Sequence, residues 1–317
     1  LQDDTQGNPP LNPQKPIVVV GSLNIDLVAQ ATRIPAPGET LLGNNFATHP
    51  GGKGANQAVA VALLGYPVHM IGRLGDDTFG AQLRDHLTRA GVDIAAVRTS
   101  PGSSGVAVIV VANTGENSIV VIPGANALLT PDDLDASIDI LRSASAVLTQ
   151  LETPLPTILH LAELCQRLNV PLILDPAPAQ PLPQELLSKV TWFTPNETEA
   201  AFYTGISDPA DPAATASALT ALGLTNLVLK LGSRGAYLAT PDGQPHQIPS
   251  FPVHAIDTTA AGDAFNGAFA TGLALGMSPP ESARFAAAAA ALSVTRSGAQ
   301  PSMPTRDEVQ HLLFIHP

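Results

Sequence analysis

The sequence predicts an α/β fold: a mainly parallel sheet with helices on both faces, and a small second β-sheet beside it. Three observations carry this reading. Pro16-Ile17-Val18-Val19-Val20-Gly21 is a short β-branched run ending in glycine, the pattern of a strand buried on both faces. From Pro131 onward strand and helix patterns alternate, which means parallel strands joined by covering helices. Residues 27–48 and 105–122 are β-rich pieces broken by turn residues, suited to a separate antiparallel sheet.

Composition sets the outer limits. Of 317 residues, 44% are hydrophobic and 13% charged, which gives a globular chain with a sizeable core. A formal net charge of −12 repels nucleic acid and anionic membrane surfaces, although local N–H groups can still hold a small anion. Cys165 is the single cysteine, so no intrachain disulfide forms and a reducing, cytoplasmic setting is expected. Within Leu161–Cys165 it reads as a packed helical thiol rather than a nucleophile. No apolar run is long enough to span a bilayer; the Ala-rich Phe285–Val294 is too short. Residues 1–15 are polar and proline-rich without the apolar core of a signal peptide, and are expected as a disordered tail; the missing initiator Met suggests a trimmed start. Residues 16–317 read as one domain with a lid.

The first strand delivers Ser22-Leu23-Asn24-Ile25-Asp26 at its carboxyl end, where open parallel sheets bind ligands; an Asx turn would use the same residues, and position alone leaves both readings open. Residues 27–48, with Pro35, Pro37, Gly38 and Gly43, make a poor helix and a plausible pair of short strands. Pro50-Gly51-Gly52-Lys53-Gly54-Ala55-Asn56-Gln57 then leads into a helical run over 58–64. It is not a P-loop, because the required earlier glycine is missing and Gly54 stands where Ser or Thr would hold Mg²⁺. It is a Gly-rich turn that sets Lys53 and Asn56 near a helix N-terminus, suited to a polyhydroxylated ligand.

Residues 67–74 read as a strand, 78–90 as an amphipathic helix, and 105–111 with 118–122 as a hairpin. The hairpin is either a lid or an ordinary sheet edge, and an exposed apolar face on it would favour dimer formation. Then come helix 131–142, strand 145–150, helix 155–168, and strands 171–175, 190–194 and 226–231, with helices over 278–295 and 305–314. Glu152, Asp175-Pro176-Ala177-Pro178, Pro195-Asn196-Glu197-Thr198-Glu199 and Gly232-Ser233-Arg234-Gly235 all follow strands, so the polar clusters collect on one sheet edge and imply a single cleft. Asn196–Glu199 fits a helix cap with first-turn acids, most strongly at Glu197; Glu199 also suits a water-bridged Mg²⁺. The eight histidines show no metal-ligand spacing and none precedes a nucleophile, which argues against a zinc site or a Ser-His-Asp hydrolase.

The chain is organised around Asp257-Thr258-Thr259-Ala260-Ala261-Gly262-Asp263-Ala264-Phe265, a small-residue turn running into an Ala-rich helix. Free N–H groups of Ala261, Gly262 and Asp263 would form an anion site reinforced by the helix dipole. Asp263 sets a carboxylate beside it, which suggests a reaction that removes a proton and transfers an anionic group. Plain helix capping by Asp257 and Asp263 is the alternative. Downstream, Arg296-Ser297-Gly298-Ala299-Gln300-Pro301-Ser302 is a loop whose carbonyls can face a cation.

Asp257–Phe265 resembles the C-terminal signature of the ribokinase family of carbohydrate kinases, with Ala260 where most of the wider family has Gly. Gly51–Ala58 resembles the N-terminal signature, and the similarity runs over residues 16–317. The resemblance implies a ribokinase-like three-layer α/β/α sandwich with a β-sheet lid, often a homodimer through that lid. It implies transfer of the γ-phosphoryl of Mg·ATP to the 5-hydroxyl of D-ribose, with Asp263 as base and the N–H groups of Ala261 and Gly262 stabilising the phosphoryl. By the same resemblance, Asn24, Asp26, Gly52, Lys53, Asn56 and Glu152 contact the sugar. Asn196, Lys230, Gly232, Ser233, Gly235 and Gly262 would contact the nucleotide, and Glu199 the Mg²⁺ through water. Asp257, Thr259, Ser293, Arg296, Gly298 and Ser302 would lie in loops holding an activating K⁺, mainly through backbone oxygens. Two positions depart from the pattern: Lys230 stands where Thr is frequent, and Ala287 where His or Asn commonly lies against adenine.

A 2-deoxyribose or nucleoside kinase is the nearest alternative; Asn24 and Asp26 favour a pentose without choosing between them. A non-catalytic sugar-binding regulator would have lost Asp263 or the Gly262 turn, and both are present. A dinucleotide-binding oxidoreductase needs Gly-x-Gly-x-x-Gly after a strand, a spacing that Gly232-Ser233-Arg234-Gly235 lacks.

Overall fold

The β-branched run at the start of the chain, β1 (Ile17–Val20), lies inside the main sheet with every residue buried. Its side chains alternate between two cores: Ile17 and Val19 face one hydrophobic cluster, Val18 and Val20 the other. The computed structural model describes residues 14–206, 211–241 and 243–316; residues 1–13, most of the stretch expected as a tail, lie outside the described residues.

After β1, strands β2 (Asn24–Ala31) and β3 (Asn45–Gly51) pair antiparallel, with Asn24 opposite Gly51 and Asp26 opposite His49. Helix α1 (Lys53–Leu63) begins at Lys53 rather than Ala58, because Gly52, at φ 87°, turns the chain directly into it. Lys53 and Asn56 therefore stand in its first turn. Strand β4 (Val68–Gly75) and helix α2 (Thr78–Arg89) match the reading, and β5 (Asp93–Ser100) follows as an unexpected edge strand parallel to β4. Its apolar residues run together at Ile94–Val97 and its last three are polar, so no alternation marks it in the sequence. Strands β6 (Gly105–Ala112) and β7 (Asn117–Ile122) form the hairpin; β6 also pairs with β2, giving a second sheet ordered β3-β2-β6-β7.

The helix expected over 131–142 is two, α3 (Pro131–Asp135) and α4 (Ile138–Ser143), parted at Ser137, whose hydroxyl donates to the Asp133 carbonyl at 2.8 Å. Next come β8 (Ala146–Thr149), α5 (Leu155–Leu168), β9 (Leu172–Leu174), α6 (Gln184–Leu187), β10 (Trp192–Phe193), α7 (Glu197–Thr204), α8 (Pro212–Ala221) and β11 (Leu227–Lys230). The cap reading of Asn196–Glu199 marks the start of α7; the sequence reading misses α6, which is short, and α8, whose Ala/Thr-rich run has no apolar stripe. Strands β12 (Ala236–Ala239) and β13 (His246–Ile248) turn antiparallel at the far edge. Helices α9 (Ala261–Ala274), α10 (Pro279–Ser293) and α11 (Arg306–Ile315) complete the chain.

The main sheet runs β13-β12-β11-β10-β9-β8-β1-β4-β5. Because β1 pairs with β4 on one side and β8 on the other, the strand order reverses beside it. That crevice, beyond the carboxyl ends of the strands, is where open α/β sheets bind ligands. Helices α1, α2, α9, α10 and α11 pack on one face and α3 to α8 on the other, giving three layers.

Small residues set how closely α1 and α9 approach. A β-carbon built on Gly267 would lie 2.7 Å from the Ala60 β-carbon and 2.9 Å from the Gln57 carbonyl. Gly267→Ala is therefore expected to destabilise the fold by about 1–3 kcal/mol, since overpacking forces helices apart. Urea unfolding reads this directly, and an unchanged midpoint would refute the close-packed seam.

Candidate active site

Neither Asp257 nor Asp263 caps α9. The capping position is Ala260, in the left-handed region at φ 59° and with no side-chain bond. That conformation costs an alanine about 1–2 kcal/mol relative to its usual state. Asp257 instead receives the N–H of Thr259 (2.9 Å) and of Gly298 (2.8 Å), which ties two loops together. Of the three N–H groups expected to be free, that of Ala261 donates to the Thr258 carbonyl at 3.3 Å. Those of Gly262 and Asp263 have no acceptor among the described residues, so the anion site narrows to these two.

The Asp263 carboxylate, 5% exposed, accepts from Asn56 Nδ2 (2.9 Å) and Gln57 Nε2 (3.1 Å), both on α1. Gln300 Nε2 donates to Asn56 Oδ1 at 3.1 Å and Gln150 Nε2 to Gln57 Oε1 at 2.7 Å, which fixes the orientation of both amides. Burial pushes the Asp263 carboxyl up to about 6; Lys53 and the two amide bonds oppose the rise, and the charge of Asp175 adds to it.

On one side of Asp263 lies a polar pocket. Burial, and then the charges of Glu152 and Asp263, push the Asp26 carboxyl up to about 7 against the pull of Lys53. A β-carbon at Gly51 would fall 2.3 Å from Asp26 Oδ2, so this placement requires glycine there. Asn24 Oδ1 accepts from Asn126 Nδ2 at 2.7 Å, while Asn126 also clasps both the N–H (2.9 Å) and carbonyl (3.1 Å) of Leu23. Glu152 accepts from Ser22 Oγ (2.5 Å) and the Lys53 N–H (3.4 Å), and its other oxygen stands 4.0 Å from Lys53 Nζ. Burial works against the Lys53 ammonium, but the carboxylates of Asp263, Glu152, Asp175 and Glu199 raise its proton affinity above the usual value.

On the other side is a cleft of about 730 Å³, which shares Lys53 and Asp263 with the polar pocket. One wall is apolar, from Phe251, Pro252, Val253, Ala287, Ala291 and Val294; the floor carries Asn196, Glu199, Lys230, Gly232, Ser233, Gly235, Ala261 and Gly262. Asn196 caps α7, with Glu197 and Glu199 as its first-turn acids, and Glu199 closes the capping box. Its carboxylate accepts the Asn196 N–H (2.8 Å) and Nδ2 (2.9 Å), while Glu197 pairs with Arg234. Burial raises the Glu199 carboxyl, with Lys230 opposing it.

Behind the anion site, the Val294 carbonyl accepts from Ile256 (2.7 Å) and Asp257 (3.2 Å). Arg296 pairs with Glu308 at 2.5 Å, Ser293 Oγ donates to Ala290 O (2.8 Å) and Ser302 Oγ to Ala299 O (2.7 Å), so these side chains are spent locally. The carbonyls of Asp257, Thr259, Arg296 and Gly298 accept from no described residue. That donor set fits a monovalent cation held by oxygens. Among the described residues no cluster of His, Cys, Asp and Glu could hold a metal, and no helix is long and apolar enough to cross a membrane.

Gln57, Asn126, Gln150 and Gln300 belong to the site although the sequence reading gave them no part, and Asp175, seen there only as a strand-end residue, joins them. Gln57, Gln150 and Asp175 are polar side chains in mostly apolar buried runs, while Asn126 and Gln300 lie in short 3₁₀ turns, and only the fold shows what each one meets.

Residues 14–306 match the model of the pfkB family of carbohydrate kinases. A ribokinase of Bacillus subtilis (strain 168) is 43% identical over 94% of this chain and 99% of its own. A deoxyribokinase of Salmonella typhi is 37% identical over 95% and 99%. The solved structure of Arabidopsis thaliana ribokinase complexed with ribose and ATP superposes with a TM-score of 0.89 at 38% identity, covering 94% of this chain and 98% of that one.

Since the folded state holds the Asp26 proton more tightly than the unfolded chain does, this residue costs stability increasingly as pH rises from about 4 through 7. Asp26→Asn is expected to stabilise the ligand-free protein at pH 8 by about 1–3 kcal/mol, the gain shrinking toward pH 4. Urea midpoints across that range measure it; a variant no more stable than wild type at pH 8 would contradict the buried-charge assignment.

Proposed function

The chain belongs to the pfkB family of carbohydrate kinases, and we propose that it is a ribose kinase, moving the γ-phosphoryl of Mg·ATP to the 5-hydroxyl of D-ribose. One observation carries the proposal. The Asp263 carboxylate and the open N–H groups of Gly262 and Asp263 share one helix end, at the junction of a polar pocket and an apolar-walled cleft.

The polar pocket suits a sugar. Asp26 has no hydrogen-bond donor among the described residues and Glu152 keeps lone pairs free, so both carboxylates can accept from hydroxyls, with Asn24, Gly52, Lys53 and Asn56 around them. In the cleft, the apolar wall takes the base, while Asn196, Lys230, Gly232, Ser233 and Gly235 lie along the phosphates. Asp263 takes the proton of the 5-hydroxyl as its oxygen attacks the γ-phosphorus and the bond to the β-phosphate bridge breaks. A carboxyl at about 6 is ionised at neutral pH yet basic enough to accept that proton. The Gly262 and Asp263 N–H groups and the Lys53 ammonium face the charge that builds on the phosphoryl.

Glu199 and Asn196 would hold Mg²⁺ through water, where the ion neutralises phosphate charge when bound. The carbonyls of Asp257, Thr259, Arg296 and Gly298 would hold K⁺, with Ser293 and Ser302 shaping the loop. The second sheet acts as a lid and, by its exposed Phe46, Val108 and Ile119–Ile122, as the seam of a homodimer. The buried Cys165, its thiol pushed by burial up to about 12, takes no part and fits a cytoplasmic protein. The 2-deoxyribose reading has one support, the full-length similarity to a deoxyribokinase.

Asp263→Asn is expected to lower turnover about 10²–10⁴-fold while sugar binding survives; near-normal turnover would remove the base assignment. In the wild type, the base must be ionised, so kcat should fall about tenfold per pH unit below about 6. An acid limb near 4 would contradict the burial of Asp263. Turnover should also be faster in K⁺ than in Na⁺, and equal rates in the two salts would dispose of the cation loop.

A further inference from the structure

Asp175, 2% exposed at the end of β9, is a buried carboxylate that the mechanism above leaves without a task. Each of its oxygens has one donor: Gln57 Nε2 at 3.0 Å and Lys230 Nζ at 2.8 Å. Both donors also face the reacting groups. The same Gln57 nitrogen reaches Asp263 Oδ1 at 3.1 Å. The Lys230 ammonium lies over the open end of α9, where a β-carbon built on Gly262 would be 3.4 Å from Nζ. Asp175 is the only hydrogen-bond acceptor of the Lys230 ammonium among the described residues, which leaves two of its hydrogens for the cleft that Lys230 lines. A self-contained ion pair at this depth returns little stability for its desolvation. One whose cation also borders a phosphate site gains a reason to be there.

We propose that Asp175 is a positioning residue that anchors both Gln57, which orients the Asp263 base, and Lys230, which acts as a catalytic cation on the transferring phosphoryl group. The inference rests on the kinase reading. It makes Asp175 the link between the proton-accepting side of the reaction and the phosphoryl side. Lys230 keeps one hydrogen on Asp175 and presents the others to the phosphoryl oxygens beside the Gly262 N–H.

The test compares wild type with Lys230→Met, Asp175→Asn and the double variant, measuring kcat and both KM values with ribose and Mg·ATP. Lys230→Met should lose about 10²-fold in kcat, as removal of a transition-state donor does, with the KM for ribose nearly unchanged. Asp175→Asn should lose about tenfold through misplacement of both partners. The double variant should remain as slow as Lys230→Met. If Lys230 only neutralises Asp175, removing both charges restores the rate, and a double variant close to wild type overturns the proposal. The double variant leaves no charge of the pair buried alone, so it carries the test if Lys230→Met does not fold. A wild type that turns over no sugar would count against the kinase reading instead. ATP affinity by calorimetry then decides the inference: a clear loss in Lys230→Met that persists in the double variant supports it, and unchanged affinity overturns it.

Discussion

The structure depends on a buried carboxylate, that of Asp263, held by two amides beside a helix end whose N–H groups at Gly262 and Asp263 have no acceptor among the described residues. Asp26, Glu152, Asp175 and Asp263 lie in one electrostatic neighbourhood with Lys53 and Lys230 as counter-charges. Carboxylates outnumber ammonium groups there, and burial strengthens each repulsion. Burial first, and neighbouring carboxylates second, raise the proton affinities of Asp26 and Asp263 against the pull of Lys53. The amides of Asn56 and Gln57 keep Asp263 in place, and the uncapped start of α9 leaves the Gly262 and Asp263 N–H groups open among the described residues.

The rest of the fold serves that arrangement. The strand order reverses beside β1, so the ends of β1, β8, β9, β10 and β11 deliver Ser22, Glu152, Asp175, Asn196 and Gly232 to one crevice. Small residues let α1 and α9 approach until side chains from both helices hydrogen-bond each other. The left-handed Ala260 and the unpaired carboxylate of Asp26 are costs to stability, both placed at the candidate site.

Much of this was legible in the residues. The β1 run, the alternation after Pro131 and the hairpin over 105–122 follow from periodicity and turn chemistry, and the similarity to solved ribokinase structures shows the three-layer α/β fold. The Gly-rich turn at 51–54 and the stretch at 257–265 marked the two ends of the site, which the structure brings together through Asn56 and Asp263. What stayed hidden had no periodic or compositional mark. β5 is an edge strand without apolar alternation in its sequence, and α8 has no apolar stripe, since it buries only Thr215, Ala216 and Leu219. The use of the Ala261 N–H within a turn and the Gln57–Asp175–Lys230 chain are single-bond or long-range facts. A sequence supplies the donors and acceptors, but only the packed chain decides which ones meet.

The central claim is that the pocket beside Asp263 receives a pentose hydroxyl. A coupled ADP-release assay with Mg·ATP and K⁺, comparing D-ribose, 2-deoxyribose, fructose and adenosine as acceptors, tests it most directly. Saturating turnover with D-ribose at the lowest KM is the expected result. Preference for adenosine or fructose would contradict the assignment of Asn24, Asp26 and Glu152 to a pentose, and no turnover with any acceptor would contradict the kinase itself.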